Sequence, residues 1–147
     1  MKTIFDTKTV AELIGRINSL QTSTQAQWGK MDEYQMLKHC TMSEEIFLGK
    51  RTYKRLFIGR LFGSIALKGI LKNENPMKKN QPTLPEMKIT GTGNFEAERN
   101  KWIELLQGYN SFSNINFIHP FFGKMTKDEI GKYVYKHADH HLRQFGN

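Results

Sequence analysis

The periodicity of apolar residues constrains the fold of this chain more than any other feature of its sequence. Val10, Leu13 and Ile17 recur at intervals of three and four positions, which is the stripe of an amphipathic helix. No segment alternates apolar and polar residues over the length of a strand. We therefore predict an all-α fold. The segments with the clearest helical pattern are Thr7 to about Leu20, about Met31 to Leu48, Phe95 to Tyr109, and Thr126 to about Phe145.

Residues suited to begin a helix precede three of these segments. Asp6 or Thr7 is the predicted N-cap of the first segment, and Asn94 that of the third. In the last segment Thr126 and Glu129 have the spacing of a capping box, in which a hydroxyl and a carboxylate satisfy each other's free backbone N–H groups. These signals predict where the helices start.

A weaker helical segment lies between the second and third strong ones. It reads KRLFIGRLFGSIALKGILKN at 54–73 and is interrupted by three glycines, each disfavoured inside a helix by about 1 kcal/mol relative to alanine. The following residues, 74–93, contain three prolines and end in two glycines, which predicts a long ordered loop. We therefore predict one domain over residues 1–147, a four-helix bundle with an additional helix and a long loop inserted between core helices 2 and 3.

Positive charge is concentrated in one part of the chain. The formal net charge is +8, and no acidic residue lies between Glu45 and Glu74, an interval that contains Arg51 and Arg55. Solvated surface charge explains such an interval, and a rim that binds a small anion is the sharper alternative. No nucleic-acid motif accompanies the charge, so no nucleic-acid partner is expected.

Three features of the sequence bear on the compartment of the protein. The most apolar window, residues 56–71, is interrupted by Arg60 and Lys68 and is shorter than the roughly 20 residues that span a bilayer, so we expect no membrane partner. The first residues lack the pattern of a secretory signal. Cys40 is the only cysteine and cannot form an intrachain disulfide, which fits a reducing compartment. We expect a cytoplasmic protein.

Two histidines of the last helix share its apolar face. On a helical wheel His141 lies about 40° from His137, and Ile130 lies between them. The i, i+4 spacing allows two imidazoles to converge on one cation, as in the HxxxH part of helical zinc motifs. In the second helix His39 likewise lies among apolar neighbours, in MLKHC at 36–40. These three residues are the candidate metal ligands.

Other polar residues are weaker candidates. His119 is interpreted as a turn or packing residue, with contact to a metal or substrate as the alternative, and His140 lies nearer the edge of the apolar face. Cys40 is interpreted as a buried apolar residue. Asp32 is either polar surface or a partner of a metal ligand. Asp139 points away from the apolar face and is expected to form a surface ion pair with Arg143, i, i+4 along the helix.

Four short motifs resemble the DinB-like superfamily, also called YfiT-like, and within it a branch described only as a domain of unknown function. They are WGKM at 28–31, MLKHC at 36–40, HPFFG at 119–123 and YKHADHHLRQFG at 135–146. The resemblance implies a four-helix bundle that binds a divalent metal, zinc or nickel, through one histidine of the second helix and an HxxxH pair of the last. In this sequence those positions are His39, His137 and His141. Leu142 stands where the superfamily often has arginine.

The resemblance also implies classes of activity. Three neutral imidazoles leave an open coordination position, which is typical of catalytic rather than structural zinc. Some superfamily members resemble thiol S-transferases or maleylpyruvate isomerases, in which the metal binds a low-molecular-weight thiol. The expected function is thus a metal-dependent thiol S-transferase or hydrolase acting on a small-molecule substrate. Arg51 and Arg55 are expected to attract the carboxylates of such a thiol.

The alternative is a non-enzymatic helical protein for stress response or ligand binding, whose histidines hold a structural metal or none. DNA binding ranks last, because the sequence offers only charge for it. Related bundles often pair, so the resemblance implies a homodimer.

Overall fold

The computed structural model describes residues 1–147 and is mostly helical, which confirms the predicted all-α class. Its two strands have two residues each and form one antiparallel hairpin, and two 3₁₀ turns occupy Pro85–Met87 and Gly108–Ser111. No helix has the length and apolarity needed to cross a bilayer. The elements are α1 (Thr7–Asn18), α2 (Glu33–Phe47), α3 (Phe57–Ile70), α4 (Phe95–Gln107), β1 (Ile118–His119), β2 (Gly123–Lys124) and α5 (Lys127–Gln144).

The helices begin at polar residues that satisfy free backbone donors. Asp6 accepts a hydrogen bond from the Thr9 amide at the start of α1, and Asn94 caps α4. A capping box joins Thr126 and Glu129 at the start of α5, as the sequence predicted. Asp32 caps α2 in a second capping box, so its side chain belongs to the helix terminus and not to the histidine cluster.

Four helices surround one apolar core. α2 packs against α4 and α5, and α1 packs against the same two helices, so the contacts close into a ring. Leu13, Met36, Trp102 and Ile130, one from each helix, are fully buried inside it. The ring places one face of α2 beside one face of α5, and these are the faces on which the sequence put its candidate histidines.

The fifth helix, α3, lies outside the ring, against the β1–β2 hairpin. A Cβ added at Gly59 or Gly63 would lie only 2.4 or 2.0 Å from the backbone oxygen of Phe121, so only glycine allows this approach. The Arg55 guanidinium donates hydrogen bonds to the carbonyl oxygens of residues 119–121 and holds the start of α3 in place. Two of the three glycines that weakened the helix prediction, Gly59 and Gly63, therefore form the contact between α3 and the hairpin.

The connection from α3 to α4 is an ordered loop, as predicted. Leu84 and Met87 are buried in the core, and the 3₁₀ turn Pro85–Met87 brings the Met87 carbonyl against His39 of α2. The Lys136 ammonium group of α5 donates to the carbonyl oxygens of Ile70 and Asn73, which fixes the end of α3 and the start of the loop.

Candidate metal centre

Three histidines from two helices meet in the core. One nitrogen of each of His39, His137 and His141 lies within 4.8 Å of the others. All three residues are buried, with exposed fractions of 4%, 7% and 6% respectively. Nε2 of His39 lies 3.2 Å from Nε2 of His137. The structure thus brings together the three residues that the sequence selected.

A backbone carbonyl orients His39. Its Nδ1 lies 3.1 Å from the carbonyl oxygen of Met87, in the 3₁₀ turn. Because a carbonyl oxygen only accepts hydrogen bonds, Nδ1 must carry the proton. In the neutral ring the lone pair is then on Nε2, which faces the other histidines.

A side-chain amide orients His141 in the same way. Gln144 donates from Nε2 to the carbonyl oxygen of Trp28 at 2.8 Å, which fixes which end of the amide is oxygen. Its Oε1 lies 2.9 Å from Nδ1 of His141 and accepts a hydrogen bond from it, so Nδ1 of His141 carries the proton. The lone pair of neutral His141 is therefore also on Nε2.

His137 completes the cluster differently. Its ring stacks on that of Tyr133, with centroids 5.8 Å apart and planes at 13°. Nδ1 is buried and has no hydrogen-bond partner, so the only polar contact of this imidazole is toward His39. An orphaned polar atom at this position is the kind of group that calls for a functional explanation.

Burial keeps the cluster neutral. Removal from water lowers the pKa of His39 below its ordinary value, and lowers the pKa values of His137 and His141 well below theirs. The proximity of the rings acts in the same direction on the latter two. Neutral imidazole is the form that binds metal, so the site needs little deprotonation near neutral pH.

The donor set fits a divalent metal ion. Two nitrogens bound to one tetrahedral zinc at about 2.0–2.1 Å lie about 3.3 Å apart, close to the spacing of His39 and His137. The largest separation among the three nitrogens, within 4.8 Å, exceeds this spacing, so the cluster is wider than a tetrahedral zinc site. Imidazole donors suit zinc and nickel alike. Cys40 is fully buried with its sulfur 3.8 Å from that of Met36, as expected of an apolar residue, and is not in the cluster.

Asp139 is not at the surface, and that part of the prediction is wrong. The residue is only 7% exposed, because α1 packs over this side of α5. Its carboxylate binds Nη1 of Arg16 at 2.8 Å as well as Nε of Arg143 at 2.8 Å, so the pair with Arg143 is confirmed. The aspartate joins α1 to α5 and forms no hydrogen bond with the three clustered histidines.

His119 is the last residue of β1 and directly precedes the turn to β2. Its Nδ1 accepts hydrogen bonds from the backbone amides of Phe121 and Phe122, both at 3.1 Å, and its ring stacks on Phe122. Burial, with Arg55 nearby, lowers the pKa of His119 to about 3. These contacts agree with its interpretation as a turn residue.

The two arginines of the anion-binding prediction contact protein groups. Arg51 forms an ion pair with Glu45 at 2.7 Å, and Arg55 binds the turn carbonyls at residues 119–121. Neither is near enough to the cluster to form a hydrogen bond with its histidines. Their role in binding a thiol stays a prediction.

Beside the cluster is a cleft of about 380 Å³. His140 forms part of its wall, and the ring of this residue lies 5.1 Å from that of His141. Lys79, 4.3 Å above the Trp28 ring, and Arg143 give the cleft a positive rim. None of the three clustered histidines lines the cleft, and His140, predicted at the edge of the apolar face, is the lining residue that lies against one of them.

Sequence reasoning did not identify the groups that orient the imidazoles. Gln144 lies on the same helix face as His141, three positions later, and that spacing was the available signal. The carbonyl of Met87 had no signal, since its position depends on how the 74–93 loop folds.

Fold and site together define a mostly helical protein with three buried histidines that can hold a metal ion. The chain belongs to the family described as "Protein of unknown function (DUF1569)", whose model matches residues 3–147. This confirms the predicted membership of a domain family of unknown function. The search of curated proteins gave no match, and neither did the search of solved structures.

Proposed function

We propose that this chain is a DinB-like protein that binds one zinc or nickel ion through His39, His137 and His141 and uses it to act on a small molecule. The convergence of three neutral imidazoles carries the proposal. The hydrogen bonds that Nδ1 donates in His39 and His141 leave the lone pair of each ring on Nε2, and one nitrogen of each of the three rings lies within 4.8 Å of the others. A metal held by three nitrogens would offer an open position and Lewis acidity.

The proposed reaction is transfer of a low-molecular-weight thiol, with hydrolysis as the related possibility. In the transfer, the thiol sulfur forms a bond to an electrophilic carbon, a leaving group departs with its electron pair, and the thiol proton passes to solvent. The neutral cluster is suited to a thiolate, since it contributes no negative charge.

The cleft beside His140 is the proposed binding place for the substrate. Lys79 on its rim suits a carboxylate of a small thiol, and Trp28 provides an apolar wall. Arg143 also lines the cleft, although its Nε is bound to Asp139. Arg51 and Arg55 remain proposed to attract the anion at longer range through their field. Their direct contacts are made with protein groups, so the cleft is better placed for recognition.

The second candidate is a non-enzymatic protein with a structural metal or none. One contact favours it. Nε2 of His137 can donate a hydrogen bond to Nε2 of His39 at 3.2 Å, which satisfies both nitrogens without a metal ion. The burial of all three residues would equally suit a site that only joins α2 to α5.

A thiol-transfer assay before and after chelation separates these candidates. Glutathione and cysteine are offered with a chromogenic electrophile, and protein without metal is reloaded with zinc or nickel. The enzymatic proposal expects activity that chelation removes, reloading restores, and His137→Ala abolishes. Activity absent under every loading, together with a fall in thermal stability on chelation, would favour the structural candidate.

The recognition step has its own control. Lys79→Ala should raise the KM for glutathione and reduce its dependence on salt, whereas Lys8→Ala removes an exposed lysine of α1 outside the cleft and should change neither. Arg51→Ala and Arg55→Ala test the long-range role. If thiol affinity and its salt dependence are unchanged in both, these arginines have no part in binding.

A further inference from the structure

The outer face of α3 is apolar and exposed. Phe57 is 78% exposed, Ile65 67%, and Ile58, Leu61 and Phe62 each more than half. These five residues recur at helical spacing on one side of α3, and we call them the apolar face. Ile118, in the hairpin against which α3 packs, is also 62% exposed. Together they expose on the order of 600 Å² of apolar surface, at the upper end of the patches found on monomers.

Packing fixes this face outward. The opposite side of α3 consists of Gly59, Gly63 and Leu67, which are buried. Larger side chains could not replace the glycines, because an added Cβ would meet the backbone of Phe121. Arg55 at one end and the Lys136 contacts at the other hold the helix in this orientation. The large side chains therefore remain in solvent unless something covers them.

Unpaired positive charge borders the apolar face. Lys54, Arg60, Lys68 and Lys72 are exposed, and none of them forms an ion pair. No acidic residue lies between Glu45 and Glu74 to balance them. A helix with phenylalanine and leucine on one side and lysine and arginine at its margins is typical of segments that lie in the headgroup region of a membrane.

Charge argues against a second copy as the occupant. A two-fold contact through the apolar face would bring the same four cations of each copy toward one another, with no acid of α3 between them. Anionic lipid offers both an apolar layer and negative charge.

We propose that α3 binds the surface of anionic membranes, with the apolar face among the acyl chains and the four cations at the headgroups. α3 has 14 residues, about 21 Å of helix, and would lie in the plane of the interface. The expectation of no membrane partner rested on the length needed to span a bilayer, which this mode of binding does not require. The proposal is independent of the metal site.

Vesicle flotation of the full chain tests it, with phosphatidylcholine vesicles that contain or lack about one third phosphatidylglycerol, a composition that gives an anionic surface. We expect binding to the anionic vesicles to be at least tenfold stronger and to weaken with salt. The double variant Phe57→Gln, Phe62→Gln keeps every charge and should lose at least tenfold in binding. Ile115→Gln changes a residue that is 66% exposed but outside α3, and should bind as wild type does.

Three results would overturn the proposal. The first is a wild type that floats with neither vesicle. If that protein sediments as a dimer and the double variant as a monomer, the apolar face is a contact between two copies of the chain. Equal binding by wild type and the double variant would show attraction of the net charge alone. If Ile115→Gln binds as weakly as the double variant, the apolar residues of α3 contribute no more to membrane binding than an apolar residue elsewhere on the surface.

Discussion

At the scale of single residues, the candidate site depends on two hydrogen bonds that direct imidazoles. Met87 fixes His39 through a backbone carbonyl, and Gln144 fixes His141 through a side-chain amide. Partners of this kind set the tautomer and the orientation of the ring, and they raise its basicity as a ligand. Of the two, only Gln144 is open to mutation without a change in the backbone.

Loss of the amide should weaken metal binding. Gln144→Ala leaves Nδ1 of His141 without its acceptor, and we expect zinc affinity, measured by calorimetry of the metal-free protein, to fall about 10–100-fold. Gln144→Glu keeps an acceptor at this position and should recover most of the affinity. Equal affinities for wild type and Gln144→Ala would mean that the amide does not support the site.

A buried carboxyl group makes stability depend on pH. Burial raises the pKa of Glu44 from 4.5 to about 7, although the Tyr109 hydroxyl, donating at 2.5 Å, favours the ionised form. Since the folded-state pKa is the higher one, the folded protein binds the proton more tightly than the unfolded chain. Stability therefore falls as pH rises from about 4.5 to about 7, by about 3 kcal/mol in total.

Comparison with Glu44→Gln isolates this contribution. The amide stays neutral and still accepts from Tyr109, so the variant should gain about 3 kcal/mol relative to wild type between pH 4 and pH 8 in urea denaturation. The histidines titrate in both proteins and cancel in the difference. A difference that is constant over this range would show that the Glu44 carboxyl has the same pKa in the folded protein as in the unfolded chain.

At this scale the sequence predicted the histidines but not everything around them. His39, His137 and His141 were identifiable because each places a polar ring on an otherwise apolar helix face. The buried position of Asp139 was not, because it depends on Arg16 of α1, 123 residues away in the chain. One helix viewed alone cannot show which neighbour covers it.

At the scale of elements, α3 departs most from what helical propensity suggests. Its glycines lower the intrinsic stability of the helix, and two of them are needed for contact with the hairpin. The hairpin itself was not predicted, since strands of two residues are too short to alternate. The caps of α4 and α5 were predicted correctly, because a cap is a local interaction.

Alanine substitutions distinguish the glycines of α3. Gly63→Ala would place a Cβ 2.0 Å from the Phe121 oxygen, and we expect a loss of about 1–3 kcal/mol in the free energy of unfolding. Gly69→Ala meets nothing within 4 Å and should leave stability unchanged or raise it by up to about 1 kcal/mol. The pair is measured by chemical denaturation. Equal effects at both positions would contradict the close packing of α3 on the hairpin.

At the scale of the whole molecule, the histidine cluster lies between α2 and α5, two neighbouring helices of the ring. His39 of α2 and His137 of α5 are 98 positions apart in the chain, and the ring contacts bring them together. The helical periodicity predicted the four helices of this ring and the insertion. It did not predict how α3 faces solvent, because an exposed apolar face has the same periodicity as a buried one.

Metal analysis of untagged protein, purified without chelator, tests the central claim most directly. Wild type is compared with the double variant His137→Ala, His141→Ala, and with His140→Ala, which removes a neighbouring buried histidine of the same helix. We expect about one equivalent of zinc or nickel in wild type and in His140→Ala, and none in the double variant. No metal in wild type even after incubation with zinc and nickel, or equal metal in the double variant, would contradict a metal site at these three histidines.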